Sequence, residues 1–173
     1  DGTVSPATDQ DGWFGTGDIG EVDENGLLRI TDRKKELIIT SGGKNVAPTK
    51  VEGVLRGHPL IGQVAVIGDG RPCITALLSL DEDAAPAWAK ANGLDTVDLA
   101  ELAEHPRVRA ALDAAVEQAN NDLARAEQVK RYHVLAKPWT AESGELTPTL
   151  KLRRRIISER YADEIERLYQ RQD

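Results

Sequence analysis

The chain of 173 residues contains no methionine and a single cysteine, and its aromatic residues are three Trp, three Tyr and one Phe. Each shortage excludes something. A chain without methionine reads as a processed or excised piece. One cysteine, Cys73, allows no disulfide within the chain and no cysteine-based metal site. In the run Pro72-Cys-Ile-Thr-Ala-Leu-Leu78 it reads as a buried strand residue. With so few aromatics the core must be built from Leu, Val, Ile and Ala. No apolar run reaches membrane-spanning length, and no secretory signal opens the chain. A cytoplasmic location is therefore expected. Positive charge is in deficit, with 22 Lys and Arg against 29 Asp and Glu and a net charge of −7. That balance argues against broad nucleic-acid binding. The three histidines, His58, His105 and His133, stand far apart with no metal-ligand partners beside them. They read as a helix end, a helix start and a strand residue, and no bound metal is expected. Gly-x-Ser-x-Gly, His-Glu-x-x-His and the phosphate loop Gly-x-x-x-x-Gly-Lys-[Ser/Thr] are all missing. The chain carries no self-contained catalytic apparatus.

What is present suits a globular protein: 40% apolar and 29% charged residues. Positive charge is clumped at Arg33-Lys34-Lys35 and Arg153-Arg154-Arg155. Such a clump either serves a small anionic ligand or forms a solvated helix face. Composition leaves both readings open.

The polar, turn-rich residues 1–12 read as an extended lead-in. Asn25-Gly26, between short apolar-bearing runs, signals a hairpin spanning Gly20 to Asp32. Glu36–Thr40 reads as a strand and Ser41–Asn45 as a glycine-bearing loop. Pro48 opens a helix with Val51, Val54 and Leu55 on one face, closed by Gly57-His58-Pro59. Gln63–Ile67 and Ile74–Leu80 read as strands. Asp81–Gly93 and Val97–Ala103 read as helices. Between His105 and Arg125 the residues Val108, Ala111, Leu112, Ala115, Val116, Ala119 and Leu123 recur at helical spacing. A strand over Lys130–Ala136, a proline-bearing loop over 137–150 and a single helix over Arg154–Tyr169 complete the pattern. The order predicts an α+β fold: a small β-hairpin and linker segment, then a compact domain with a small sheet flanked by helices. The boundary is expected near Asp32–Lys35, which gives units 1–32 and 33–173, with the charge cluster between them as hinge.

Three stretches invite chemistry. In Gly15-Thr-Gly-Asp18 a carboxylate follows a tight turn, where its two acceptor oxygens suit the paired hydroxyls of a ribose. In Asp32-Arg-Lys-Lys-Glu36 a planar guanidinium suits ribose or phosphate oxygens. The glycines of Ser41-Gly-Gly-Lys-Asn45 allow close approach to the backbone. Each alone is equally an ordinary turn or hairpin end.

Together the segments Gly12-Trp-Phe-Gly-Thr-Gly-Asp18, Leu28-Arg-Ile-Thr-Asp-Arg-Lys-Lys-Glu-Leu-Ile38 and Ser41-Gly-Gly-Lys-Asn-Val-Ala-Pro48 with Val51-Glu52 resemble the C-terminal portion of adenylate-forming enzymes. That superfamily comprises acyl-CoA synthetases, luciferases and peptide-synthetase adenylation domains. The stretches Asn120–Lys130 and Gly144-Glu-Leu-Thr-Pro-Thr-Leu-Lys-Leu-Arg-Arg-Arg155 are similar to the long-chain fatty acyl-CoA synthetase branch. Shorter-chain relatives carry a Ser-Gly-Lys type of ending.

The resemblance implies a two-step reaction. A fatty acid carboxylate attacks the α-phosphate of ATP, held with Mg2+, to give acyl-adenylate and pyrophosphate. CoA thiol then displaces AMP. The C-terminal domain turns between the steps and offers a different face to one active site. By position, Lys151 resembles the adenylation lysine, Asp18 the ribose-hydroxyl acceptor, Arg33 the nucleotide-contacting arginine and Lys35 the hinge residue. Gly43 resembles the loop glycine lining the pantetheine tunnel, with Lys44 and Asn45 on the same CoA-side loop. Gly15 departs from the pattern, since relatives carry a larger polar residue there. The ATP phosphate loop, the adenine-binding motif and the fatty-acid tunnel belong to a large N-terminal adenylation domain, the implied partner. The chain by itself is therefore expected to be inactive, and the intact enzyme cytoplasmic or peripheral to a membrane. Two alternatives stay open: a fatty acyl-AMP ligase fragment that passes its acyl group to a carrier protein, and a non-catalytic binding module of the same fold.

Overall fold

A computed structural model describes residues 8–170 of the chain. The first part of the expected lead-in, residues 1–7, lies outside the described residues. Where the lead-in becomes visible it is a turn: Asp9 Oδ1 accepts the N–H groups of Asp11 (3.0 Å) and Trp13 (2.9 Å). A short carboxylate that satisfies its own downstream backbone makes a turn where composition alone reads as extended chain.

Strands β1 (Asp18–Val22) and β2 (Leu28–Arg33) form the expected antiparallel hairpin. Its loop is longer than Asn-Gly alone, because Asp23 Oδ1 gathers the N–H groups of Asn25 and Leu27. The expected strand at 36–40 shrinks to β3 (Ile38–Ile39), paired with β4 (Asn45–Val46). Helix α1 (Pro48–Leu55) follows, with proline in its first turn, where no N–H is needed.

The central sheet holds β5 (Ile61–Ile67), β6 (Ile74–Leu80) and β7 (Val129–Leu135) in the order β5-β6-β7. β5 and β6 are antiparallel, while β6 and β7 are parallel. A parallel neighbour needs a long crossover. Helices α2 (Ala84–Ala91), α3 (Leu99–Glu104) and α4 (Pro106–Asn121) supply it. All seven residues of β6 are buried, as befits a strand covered on both faces.

Side-chain alternation along the sheet divides the core in two. Val64, Val66, Ala76, Leu78 and Val134 face Val51 and Leu55 of α1, Leu102 of α3 and Val108, Leu112 and Val116 of α4. Ala65, Leu77 and Leu135 face the opposite way, onto Trp139, Leu146, Ile157 and Ile165. This α+β arrangement, small sheets flanked by helices, is the predicted class. Among the described residues no helix is long and apolar enough to cross a membrane.

Two sequence expectations need correction. The C-terminal helix is two helices, α5 (Arg154–Arg160) and α6 (Ala162–Tyr169). They break at Tyr161 (φ −106°, ψ 28°), whose ring packs against Trp139 at 6.2 Å between centroids. Cys73 is not in a strand. It lies half-buried in the bend just before β6.

Candidate functional site

The β1–β2 register places Asp18 directly opposite Arg33. Gly17 reaches φ +77°, a conformation that a side chain would strain, and its carbonyl accepts Lys34 N–H at 2.7 Å. Asp18 N–H donates to Thr16 Oγ1 at 3.2 Å. Arg33 Nε stands 3.6 Å from Asp18 Oδ1, and the arginine side chain is 72% exposed. Both groups remain open to an incoming ligand.

Lys151 closes a tight loop on the other side of the same space. Thr147 N–H donates to Lys151 O (2.8 Å), Leu150 N–H to Thr147 O (2.9 Å) and Lys151 N–H to Thr147 Oγ1 (3.0 Å). Below them Leu146 and Leu152 form an antiparallel bridge. This is a three-residue hairpin whose last loop residue must be left-handed. That residue is Leu150, at φ 59° and 73% exposed, the one positive-φ residue other than glycine among those described. The left-handed region costs a leucine about 1–2 kcal/mol. Pro148 pre-sets the first loop position. Lys151 thus engages its loop through its backbone, and its exposed side chain points away from the core.

Asp18, Arg33 and Lys151 line one open cleft of about 660 Å³, together with Glu36, Arg56 and Gln63. The other four predicted residues lie elsewhere. Lys35 lines a neighbouring groove with Gly68, Arg71 and Glu166. Gly43, Lys44 and Asn45 belong to the β3–β4 hairpin, whose turn is closed by Lys44 N–H donating to Thr40 Oγ1. Gly43 has φ +71°, and a Cβ there would meet nothing within 4 Å, so the backbone is bare to its surroundings.

Three buried carboxylates, which the sequence reading did not single out for any role, lie in the lining of this cleft (Asp32 and Glu52) or behind it (Glu145). Asp32 accepts Arg33 N–H on Oδ1 (2.7 Å) and Thr49 N–H on Oδ2 (3.2 Å). It caps α1, whose own N-cap residue is Ala47 and has no side-chain oxygen. Glu52 accepts Val66 N–H (3.0 Å) and both Nη atoms of Arg154 (2.6 and 2.9 Å). Glu145 accepts Arg160 Nη1 at 2.5 Å, Tyr161 OH at 3.3 Å and Ser143 Oγ. One signal was available: Glu52 sits between Val51 and the Leu55 turn, on the apolar face of α1. A carboxylate there demands a cation.

The arginine triplet splits accordingly. Arg154, half-buried, pairs with the buried Glu52 and also approaches Glu36 (3.6 Å). Burial alone would lower its pKa, but the bidentate bond and the charges of Glu52 and Glu36 outweigh that and raise it. Arg153 donates to Gly144 O (3.3 Å), and Arg155 pairs with Glu159 one turn on. The triplet is neither a uniform solvated face nor a free anion site, because its middle member is a core ion pair. For Glu145, burial pushes the carboxyl up. Its bonds from Ser143 and Arg160 push harder, and hold it below the usual carboxylate range.

Comparison with known proteins narrows the fold to a family. The chain is 46% identical over 163 residues to the long-chain-fatty-acid–CoA ligase FadD15 of Mycobacterium tuberculosis, covering 94% of this chain and 27% of that protein. It is 36% identical to the peroxisomal long chain acyl-CoA synthetase 6 of Arabidopsis thaliana, over 93% of this chain and 23% of the relative. The chain therefore spans about a quarter of the length of these relatives. Among solved structures it is similar to the adenylation domain of a carboxylate reductase from Mycobacterium chelonae (TM-score 0.72, 26% identity, 94% of this chain and 24% of that one). It is also similar to a Mycobacterium tuberculosis fatty acyl CoA synthetase (TM-score 0.53, 28% identity, 90% of this chain and 25% of that one). The family model for the AMP-binding enzyme C-terminal domain matches residues 35–173, and the chain belongs to that family.

Proposed function

We propose that this chain is the C-terminal part of an ATP-dependent, AMP-forming long-chain fatty acid–CoA ligase, and that it supplies the adenylation lysine and the CoA-side loop. The observation that carries the reading is the convergence of Lys151, Asp18 and Arg33 on one cleft from opposite ends of the sequence. The three side chains are complementary to a nucleotide. Asp18 offers two acceptor oxygens to ribose hydroxyls. Arg33 offers a planar fork to ribose or phosphate oxygens. Lys151 brings a compact cation to the α-phosphate.

In the first step a fatty acid carboxylate oxygen forms a bond to the α-phosphorus, and the bond to the pyrophosphate oxygen breaks. Negative charge builds on the oxygens around phosphorus, where Lys151 stabilises it. A preorganised cation in a site closed from water is a large catalytic contribution. Mg2+ would accompany ATP and would supply charge neutralisation to the departing pyrophosphate; no group of His, Cys, Asp and Glu side chains suited to hold a metal occurs among the described residues, so the ion would come with the nucleotide. In the second step the CoA thiolate attacks the acyl carbon and AMP leaves. Gly43, with Lys44 and Asn45, would border the pantetheine arm, and the bare backbone at Gly43 supports this. Lys35 would serve as the hinge between residues 1–32 and 33–173, which fits a family match that begins at residue 35.

The partner of this unit would be the adenylation domain that holds ATP and the fatty acid. Leu28 and Ile30 of the hairpin, and Trp13 and Phe14 just before it, are all more than half exposed and would offer apolar surface for docking.

Lys151→Ala in the intact enzyme tests the assignment. Adenylate formation from fatty acid and ATP is expected to fall about 100-fold or more, while thioester formation from supplied acyl-adenylate and CoA persists. Equal loss of both steps would make Lys151 structural, and loss of neither would remove it from the chemistry.

A further inference from the structure

We infer that Glu145 is a positioning residue for Lys151, acting through a clamp at the foot of the lysine loop; the inference rests on the assignment of Lys151 to adenylate formation. The loop's own hydrogen bonds set its turn but not the direction in which the turn projects. It has three residues at its tip, one of them a leucine held in the left-handed region. Its direction has to be imposed from below.

The foot of the loop is where the imposition occurs. Glu145 O accepts Arg153 N–H at 2.7 Å, so the two chain directions meet directly beneath the Leu146–Leu152 bridge. The Glu145 side chain is 3% exposed, and both of its oxygens are engaged. Ser143, in the turn that leads into the loop, donates to Oε2. Arg160 and Tyr161, at the break between α5 and α6, donate to Oε1. Arg160 Nη1 also donates to Ser143 O at 2.6 Å, which closes the ring of contacts. The incoming segment, the outgoing segment and the helix break are thereby tied to one carboxylate. Upstream of that turn, Gln63 of β5 binds both backbone groups of Trp139, at 2.6 and 2.9 Å. The clamp is thus referenced to the sheet.

A purely structural role would need only a filled volume. An ionised carboxylate with charge-assisted donors fixes direction as well as volume. Glu145 touches no substrate-facing space and does not line the Lys151 cleft. Its influence on chemistry must pass through the loop.

The test uses the intact enzyme with Glu145→Gln, Ser143→Ala, Lys151→Ala and the double variant Glu145→Gln/Lys151→Ala. Adenylate formation is read by pyrophosphate exchange, and thioester formation from supplied acyl-adenylate and CoA. Glu145→Gln is expected to slow adenylate formation about 10- to 100-fold, as a displacement near 1 Å does, and to leave thioester formation within about 2-fold. Ser143→Ala should give a smaller loss with the same split. It keeps the Arg160 pair intact and so stands in if Glu145→Gln does not fold. Residues that act as one unit are non-additive, so the double variant should exchange pyrophosphate no more slowly than Lys151→Ala alone.

A further drop in the double variant, as large as the drop in wild type, overturns the inference, because Glu145 then acts independently of the lysine. Equal loss in both half-reactions overturns it as well. If Lys151→Ala abolishes adenylate formation while Glu145→Gln and Ser143→Ala leave it intact, the positioning role alone fails. If Lys151→Ala leaves adenylate formation intact, the lysine assignment fails first, and the inference with it.

Discussion

Replacing Arg154 by methionine keeps most of the side chain's apolar stem and removes its charge. Glu52 then loses two charge-assisted bonds, at 2.6 and 2.9 Å, and keeps only Val66 N–H. Its side chain is 4% exposed, so water cannot replace the guanidinium without opening the core between α1 and β5. Removing one partner of a buried pair costs about 3–5 kcal/mol. Arg154 is itself 26% exposed, which admits some screening and favours the lower end, about 3 kcal/mol. For a domain of this size that corresponds to a fall in Tm of about 6–12 °C. Circular dichroism melting at neutral pH measures it. Adding Glu52→Gln to Arg154→Met should recover part of the loss, since a buried amide is cheaper than an unpaired carboxylate. A Tm shift below about 2 °C, or a double variant no better than the single, would refute the reasoning.

Arg155→Ala, one residue along, breaks only an exposed i,i+4 pair with Glu159 and should change stability by less than about 0.5 kcal/mol in urea titration. Leu150→Gly relieves a left-handed leucine and loses little burial, so it should raise stability by about 1 kcal/mol; a lowered urea midpoint would show that the leucine side chain is needed. Glu145 has a folded pKa below its unfolded value. Its stabilisation is therefore complete above the unfolded value, about 4.3, and is lost as pH falls from there through the folded value. Urea midpoints measured down that range should drop more steeply for the wild type than for Glu145→Gln; parallel curves would contradict the shift.

Much of the fold was legible because it is written in local patterns. The 3–4 spacing from Val108 to Leu123 marks α4, and the apolar runs mark β5 and β6. The break at Tyr161 was not legible. Ile157 and Ile165 lie two turns apart, so the apolar rhythm runs through the interruption without a flaw. The site showed the same division. Asp18, Arg33 and Lys151 stand out by their motifs, and the structure brings them to one cleft. Asp32, Glu52 and Glu145 do not stand out, because an acidic residue reads as solvated until its partner is known. For Glu52 that partner is 102 residues away, inside an arginine triplet with no mark on its middle member.

The parallel pairing of β6 with β7 also orders events in time. The β5–β6 hairpin closes over a short turn and can assemble as soon as it is synthesised. β7 cannot join until the whole crossover through α2, α3 and α4 has been made, a closure that is slow because its contacts are distant along the chain. The Lys151 loop lies beyond β7, and its anchors wait upstream at Gln63 and Glu52. On the ribosome the loop therefore takes shape late, together with α5 and α6, which follow it in the chain. A nascent chain interrupted before Arg160 has the residues of the β1–β2 hairpin and of the loop, yet lacks the Arg160 and Tyr161 donors that bind Glu145 beneath it. The order of assembly withholds Lys151 from its final setting until the sheet and its crossover helices stand.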